Sequence, residues 1–157
     1  MIPVSETAHP APPTPVPPRD AATVVILRDA GSVHNSRPEV YLVKRSRMVD
    51  FMAGAHVFPG GRLDEADTSL AACAVRETHE EAGLRLEISA LVPWVRWVTP
   101  VISPRRFDAR FFLARAPEGQ EPKVDGHEAV EGLWIAPAEA LAQWEGGAMQ
   151  LAPATAK

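Results

Sequence analysis

FPGGRLDEADTSLAACAVRETHEEAGL, residues 58–84, is the stretch of sequence that decides the fold of this chain. It opens on a proline and two adjacent glycines, which cannot continue a regular element and favour a turn. Residues 67–69, Asp-Thr-Ser, can cap a helix, and Gly83 suits a left-handed C-terminal cap. Between these limits the apolar pattern predicts a helix from Ser69 to Ala82 that packs against a sheet.

Three glutamates of this helix stand at positions i, i+3 and i+4: Glu77, Glu80 and Glu81. Side chains at these spacings project from one face, where each like-charge pair costs about 0.2–0.5 kcal/mol. Arg76 can offset only part of this repulsion through Glu80, its i+4 partner. A solvated acidic face is one interpretation. The neighbouring glycine turn favours another, in which a hard cation such as Mg²⁺ binds the carboxylate oxygens.

The segment resembles the signature of the Nudix hydrolases, G-x5-E-x7-R-E-U-x-E-E-x-G-U, in which U is a bulky apolar residue. The matching residues are Gly61, Arg76, Glu77, Glu80, Glu81, Gly83 and Leu84. The chain departs from the signature where Asp67 replaces the first glutamate and eight residues, instead of seven, separate it from Arg76. Thr78 also occupies the first apolar position. The role of Asp67 therefore stays open.

The resemblance implies an α/β fold, the Nudix-type α/β/α sandwich with a mixed sheet, and a diphosphatase acting on phosphorus-containing acid anhydrides. It implies Mg²⁺ as the cofactor, with Mn²⁺ as a substitute. The implied metal ligands are Gly60 through its carbonyl, Glu77, Glu80, Glu81 and Glu128. The implied catalytic residues are Arg76, which orients carboxylates, and Glu77, Glu81 and Glu128.

Two points about these glutamates stay open. Which of them acts as the general base is unassigned, because Nudix branches differ. Glu128 lies in segment 125–128, which resembles the place where several Nudix branches supply a further metal ligand or the general base. An ordinary loop glutamate without a catalytic role is an equal alternative.

The substrate expectation comes from segments 51–61, 97–100 and 104–108, which resemble the coenzyme A diphosphatases, in particular the peroxisomal-type relatives. Two features differ: Asp50 stands where that branch has an arginine, and the long insertion after the glycine turn is missing. Coenzyme A or an acyl derivative is the favoured substrate. ADP-ribose, NADH and nucleoside triphosphates are alternatives, as is a catalytically silent module that binds a nucleotide.

Guanidinium groups match phosphate oxygens, and an aromatic ring can stack on a base. The candidate substrate-binding residues on this ground are Arg45, Arg105, Arg106 and Phe107. Solvent-exposed loop arginines are the alternative interpretation. The tryptophans are expected to pack in the core or at its rim.

Composition favours one enzyme domain. The chain has 157 residues, 46 % of them apolar, and a net charge of −4, which suits a single core. No broad basic excess exists to bind a nucleic acid polymer, so a small nucleoside diphosphate derivative is the expected partner.

No apolar run reaches the roughly 18 residues needed to span a membrane. The lone Cys73 cannot form an internal disulfide, which favours a cytoplasmic location, with a monomer or homodimer expected.

The chain divides into two parts. Residues 1–20 contain seven prolines and are predicted to be a disordered tail. Residues 21–157 form the expected Nudix domain, and an incomplete C-terminal end is an alternative, because the relatives that it resembles continue further. Strands are predicted at 22–27, 40–43, 94–98, 109–114 and 130–135, and a short helix from Pro137 to about Trp144.

Overall fold

The structure, a computed structural model, describes residues 14–157 and contains one mixed sheet. The strands are β1 (Arg19–Asp29), β2 (Pro38–Arg45), β3 (His56–Val57), β4 (Gly60–Arg62), β5 (Val92–Val98), β6 (Phe107–Arg115) and β7 (Ala129–Ile135). The helices are α1 (Leu70–Ala82), α2 (Pro137–Glu145) and α3 (Pro153–Ala156), with a 3₁₀ turn at Ile88–Ala90. The sheet order is β3-β2-β1-β6-β5, with β4 paired to β1 and β7 to β2. Strands β1 and β6 run parallel, and the other pairs are antiparallel.

Alternate residues of β1 face opposite sides of the sheet, as the period of a strand requires. Val24 belongs to the core cluster that contains Ala74 of α1, whereas Val25 belongs to a second cluster that contains Ala140 of α2. Both faces of the sheet are therefore covered by a helix. This confirms the predicted α/β/α sandwich.

The bounds of α1 agree with its predicted caps. The Ser69 hydroxyl accepts a hydrogen bond from the Ala72 amide at 3.0 Å. Gly83 has φ of 66°, in the left-handed region, and its amide donates to the His79 carbonyl at 2.9 Å. Local capping chemistry thus fixes the helix that carries the glutamates.

The prediction that the glycine turn excludes regular structure is wrong. Gly60 begins β4, which pairs with β1 from Ala21 to Thr23. The approach is so close that a Cβ on Gly60 would lie 2.5 Å from the Ala22 carbonyl oxygen. Two adjacent residues without a Cβ therefore allow a short strand where larger residues would collide.

The sheet also begins earlier in the chain than predicted, because Arg19 is the first residue of β1. The last two residues of the predicted tail are thus part of the sheet. Residues 1–13 of that tail lie outside the described residues. Within residues 14–157, no helix has both the length and the apolar character needed to cross a bilayer.

The segment after α2 is attached to β3. Leu151 pairs with His56, whose amide donates to the Gln150 carbonyl at 2.7 Å. Met149 and Leu151 are buried in the core cluster on the α2 side of the sheet. The residues that follow therefore lie beside the sheet, where they line the cavity described below.

The tryptophans divide into two pairs. Trp97 and Trp134 pack against the core clusters, as predicted. Trp94 is 60 % exposed and Trp144 is 42 % exposed, so the packing prediction is wrong for these two. Trp94 lies on β5, at the edge of the sheet, where the strand has only one neighbour.

Candidate active site

A cavity of about 1080 Å³ lies against the sheet and ends at the glutamates of α1. Most of the predicted site residues line it: Arg45, Gly60, Glu77, Glu81, Arg105, Arg106, Phe107 and Glu128. Ala21, Ala109 and Phe111 of the sheet contribute an apolar wall. The cavity therefore combines an acidic end, basic loops and apolar surface.

Glu81 is the most buried of the carboxylates, with 4 % of its surface exposed. Its Oε2 accepts a hydrogen bond from the Gly60 amide at 3.0 Å. Burial raises the pKa of Glu81 to about 7, and the negative charges of Glu77 and Glu128 act in the same direction. The Gly60 hydrogen bond and the positive charge of Arg45 oppose this rise without cancelling it.

Glu77 lies against the second glycine of β4. A Cβ added to Gly61 would fall 2.5 Å from Glu77 Oε1, so the carboxyl occupies the space that a side chain would need. Burial also raises the pKa of Glu77, although the hydrogen bond from Arg76 lowers it. Arg76 Nη1 donates to Oε1 at 2.9 Å.

Arg76 is held from the other side by Asp67 in a two-point contact. Nε donates to Oδ1 at 2.9 Å and Nη2 donates to Oδ2 at 2.8 Å. The Asp64 amide also donates to Asp67 Oδ2 at 2.8 Å. The hydrogen bonds from Arg76 lower the pKa of Asp67 to about 2. Asp67 thus anchors the arginine that contacts the glutamates, a function that the spacing alone left open.

Glu80 is the one helix glutamate that the cavity does not include. Its side chain is 56 % exposed, and its Oε2 accepts a hydrogen bond from Arg76 Nη1 at 3.1 Å. Glu80 is adjacent to Glu81 in the chain, yet the Glu80 carboxylate is exposed to solvent and the Glu81 carboxylate is buried. The assignment of Glu80 as a metal ligand stays a prediction.

Glu128 comes from a loop that Asp125 organises. The Asp125 carboxylate accepts hydrogen bonds from the amides of His127, Glu128 and Ala129 at 2.9–3.2 Å. The carbonyl of Glu128 accepts a hydrogen bond from the Ser46 amide at 2.8 Å. These contacts fix the backbone that directs Glu128 to the cavity wall.

The predicted substrate-binding arginines differ in how they are engaged. Arg106 donates to the carbonyls of Thr99 and Val16 at 3.0 and 2.8 Å, so its guanidinium holds loop backbone. Arg45 donates through Nε to the Phe51 carbonyl at 2.9 Å. The Arg105 side chain is 52 % exposed. The three groups put positive charge on the wall of the cavity that the carboxylates also line.

Comparison with known proteins places the chain in a family. The model of the NUDIX domain matches residues 17–154. The chain belongs to the Nudix family. This Nudix chain is 28 % identical over 155 residues to "Putative nudix hydrolase 7" of Caenorhabditis elegans, over 73 % of the chain and 52 % of that protein. It thus spans about half the length of that curated relative.

Solved Nudix structures share the fold. A Nudix hydrolase from Alicyclobacillus acidocaldarius superposes with a TM-score of 0.78 at 26 % identity, over 89 % of this chain and 88 % of that one. The Nudix domain of Shewanella oneidensis NrtR, solved with ADP ribose, gives a TM-score of 0.67 at 19 % identity, over 87 % and 80 % of the two chains. Because only 19 % of the aligned residues are identical, the similarity to the S. oneidensis domain shows the fold alone.

Nudix hydrolases generally use divalent metal ions, and the donor chemistry of this cavity fits one. Among residues 14–157, no three His, Cys, Asp or Glu side chains form a closed metal site. Mg²⁺ does not require one, because it uses one or two carboxylates and shares its other positions with water and substrate phosphates. The negative charge of Glu77 raises the pKa of Glu81, and the charges of Glu80 and Glu128 raise that of Glu77, so a bound cation would offset this repulsion.

Two residues of this Nudix site were missed or left without a role. Phe51 lines the cavity and contacts the Phe107 ring edge-on, with 5.8 Å between centroids. The sequence did contain a signal for Phe51, because it is an aromatic residue inside segment 51–61, which carries the resemblance. Asp67 had a signal too, since it is the acidic residue at the first glutamate position of the signature.

Cys73 takes no part in this chemistry. It is buried in α1, and burial raises the pKa of its thiol to about 12. The thiol therefore stays protonated at neutral pH and fills space between α1 and the sheet.

Proposed function

We propose that this protein is a divalent-cation-dependent Nudix hydrolase that cleaves the diphosphate linkage of a nucleoside diphosphate derivative. The observation that carries the proposal is the pair of Glu81, which is buried, and Glu77, which is half-buried, against the β4 glycines in a cavity that also contains arginines. A mere binding pocket for a phosphate has little use for buried carboxylates, because they repel the ligand unless a cation intervenes.

Each residue group has a proposed role in this reaction. Glu77, Glu81 and Glu128, with the Gly60 carbonyl, would hold Mg²⁺ or Mn²⁺, and Arg76 orients Glu77 through its hydrogen bond. The bound cation would polarise the phosphoryl oxygens and lower the pKa of the attacking water. When the other carboxylates hold the cation, Glu81 is the candidate general base, because its carboxylate is then free to accept the proton of that water.

Arg45 and Arg105 line the cavity with positive charge that can balance the diphosphate. Arg106 is already engaged by two carbonyls, so we assign it to holding the loop that carries Arg105. A cavity of about 1080 Å³ is large enough for a nucleotide joined to a second moiety.

Coenzyme A or acyl-coenzyme A is the substrate that we favour, on the resemblance of segments 51–61, 97–100 and 104–108 to the coenzyme A diphosphatases. ADP-ribose is a second candidate, because the S. oneidensis Nudix domain of the same fold was solved with that molecule. Both substrates contain an adenosine diphosphate joined to a second group. We place the reaction in the cytoplasm, with the protein a monomer or a homodimer.

A substrate panel with and without Mg²⁺ or Mn²⁺ tests this proposal, with products resolved by mass spectrometry in ¹⁸O-labelled water. Release of 4′-phosphopantetheine from coenzyme A would support the favoured substrate. Release of AMP and ribose 5-phosphate from ADP-ribose would support the second. Absence of turnover on every diphosphate would favour a module that only binds nucleotides.

The matched variant for this panel is Glu81→Gln, which keeps the shape and the hydrogen-bond acceptor but removes the charge. We expect loss of turnover with an unchanged circular dichroism spectrum. Activity near that of the wild type would refute the assigned role of Glu81.

A further inference from the structure

Two loops meet beside the cavity through their side chains. One lies at residues 46–55, between β2 and β3, and the other at residues 99–106, between β5 and β6. The Phe51 ring meets the Phe107 ring, at the start of β6, at an angle of 61° with 5.8 Å between centroids. Arg105 Nη2 lies 3.5 Å from Asp50 Oδ2. Both phenyl rings line the cavity.

Arg45 connects this aromatic pair to the glutamates. Its Nε holds the Phe51 carbonyl at 2.9 Å, and its positive charge acts on the Glu81 carboxyl. Along the cavity wall the order is therefore aromatic rings, guanidinium and carboxylates. A nucleoside diphosphate has a matching order: a flat aromatic base, a sugar and a diphosphate.

The contacts between the two loops are of a kind that a ligand can replace. The Arg105 and Asp50 side chains are 52 % and 84 % exposed, and ion pairs between such exposed groups contribute little. The phenyl rings meet edge to face, so neither is stacked on the other as a base would stack. The edge of one phenyl ring covers the face of the other, and a ring face is the surface on which a planar heterocycle stacks.

We propose that Phe51 and Phe107 form a subsite for the base of the substrate. A planar heterocycle enters between the two rings in place of their mutual contact, and the diphosphate then lies at Arg45 with the scissile linkage at the carboxylates. This inference rests on the proposed function for the choice of a nucleoside diphosphate. It adds Phe51 to the residues that determine specificity and assigns Phe107 a partner.

Binding of two non-hydrolysable probes tests the subsite: α,β-methylene-ADP, which has a base, and methylenediphosphonate, which has none. Isothermal titration in Mg²⁺ should show that Phe51→Leu and Phe107→Leu weaken the binding of α,β-methylene-ADP by about 5- to 150-fold, the range of base stacking on an aromatic side chain. Methylenediphosphonate should bind these variants as it binds the wild type. The matched control Phe51→Tyr keeps an aromatic ring and should bind both probes as the wild type does.

Three results would overturn the subsite. One is leucine variants that bind α,β-methylene-ADP as tightly as the wild type. Another is an equal loss for both probes, since that indicates a displaced loop. The third is a wild type that binds α,β-methylene-ADP no more tightly than methylenediphosphonate. None of these measurements needs turnover, so an inactive protein with the expected binding pattern would refute the hydrolase proposal and leave the subsite standing.

Discussion

At the scale of single residues, the pKa values of two carboxylic acids, one in α1 and one just before it, are shifted in opposite directions. Burial raises the pKa of Glu81 to about 7, whereas hydrogen bonds from Arg76 lower the pKa of Asp67 to about 2. Among the described residues, Glu81 forms no ion pair, and the more distant Arg45 is the only cation whose charge opposes the rise in its pKa, whereas Asp67 is paired with Arg76 at two contact points. Their environments therefore suit one to exchange a proton and the other to stay ionised.

Glu81 should make the metal-free protein less stable at high pH. Its pKa is about 7 in the folded state and near the ordinary 4.5 when unfolded, so the folded state binds more protons between these values. Stability from this group thus rises as pH falls from 7 to 4.5, by up to about 3 kcal/mol. Glu81→Gln removes the penalty, and at pH 8 in EDTA the variant should need more urea to unfold than the wild type.

At pH 4.5 the same two proteins should unfold at similar urea concentrations, because Glu81 is then largely protonated. Glu80→Gln is the matched control, since Glu80 is 56 % exposed and should change stability by less than about 1 kcal/mol at either pH. A Glu81→Gln variant that is less stable than the wild type at pH 8 would contradict the argument.

Asp67 should influence catalysis without touching the substrate. Asp67→Asn puts an amide where the Arg76 guanidinium donates two hydrogen bonds, so Arg76 loses the anchor from which it orients Glu77. We expect kcat to fall by about 10- to 100-fold, the usual effect of removing a partner that orients a metal ligand. KM should change little. Asp64→Asn is the control, because the Asp64 carboxylate accepts from the Ala66 amide instead of from Arg76.

At the scale of elements, α1 and β4 form one unit. The helix caps at Ser69 and Gly83 set where the glutamates stand along the helix, and the glycines of β4 let the strand approach both β1 and the carboxyl of Glu77. The Gly60 amide then completes the contact by donating to Glu81. The site therefore depends on the distance between these two elements as much as on the glutamates.

Gly61→Ala tests that distance. The added methyl group would lie within about 2.5 Å of the Glu77 carboxyl and must displace it. We expect loss of metal-stimulated turnover, and weaker Mg²⁺ binding in titration calorimetry, while circular dichroism shows α1 retained. Gly146→Ala is the control, since Gly146 has φ of −77° at the end of α2, outside the cavity, and its methyl group would lie 3.2 Å from the Ala142 carbonyl oxygen. Full activity in the Gly61 variant would mean that Glu77 can move without consequence.

At the scale of the whole molecule, His56 joins the sheet to the segment after α2. It is buried on β3, its amide and carbonyl bond to Gln150 and Ala152, and its Nδ1 lies 3.4 Å from the Gln150 carbonyl oxygen. Residues 152–155 of that segment line the cavity. The attachment at β3 thus shapes one wall of the site.

Acid should loosen this attachment. Burial lowers the pKa of His56 below the ordinary 6.5, so the unfolded state takes up a proton first as pH falls, and stability present above pH 6.5 is lost below it. Nearby Lys44 lowers the pKa further, while the Gln150 carbonyl and Glu131 raise it. The protection factor of the Ala152 amide, which is its intrinsic exchange rate divided by its observed rate, should therefore fall between pH 7 and pH 5.

His56→Gln separates the effect of His56 on stability from that of Glu81. As pH falls below 6.5, His56 lowers the stability of the folded state whereas Glu81 raises it. The variant lacks the titrating ring but keeps the backbone hydrogen bond, so the protection factor of its Ala152 amide should be the same at pH 7 and pH 5. Equal acid sensitivity in the variant and the wild type would place the cause elsewhere.

The sequence predicted much of the architecture because the deciding signals are local. Five strands, α1 and α2 are present near their predicted positions, since strand runs and helix caps depend on neighbouring residues. The short strands β3 and β4 were not predicted. Their pairing depends on partners 12 to 41 residues away in the chain, and no local pattern of two or three residues can specify it.

By itself, the sequence determined that α1 is a capped helix after two glycines with three glutamates on one side, because spacing and capping are properties of a short segment. Only the tertiary structure decided which glutamates share the cavity. Glu80 and Glu81 are adjacent in the chain, but β4 and β1 bury the second and leave the first to Arg76 and solvent. Burial is set by elements distant in sequence, and burial is what raises the pKa of Glu81.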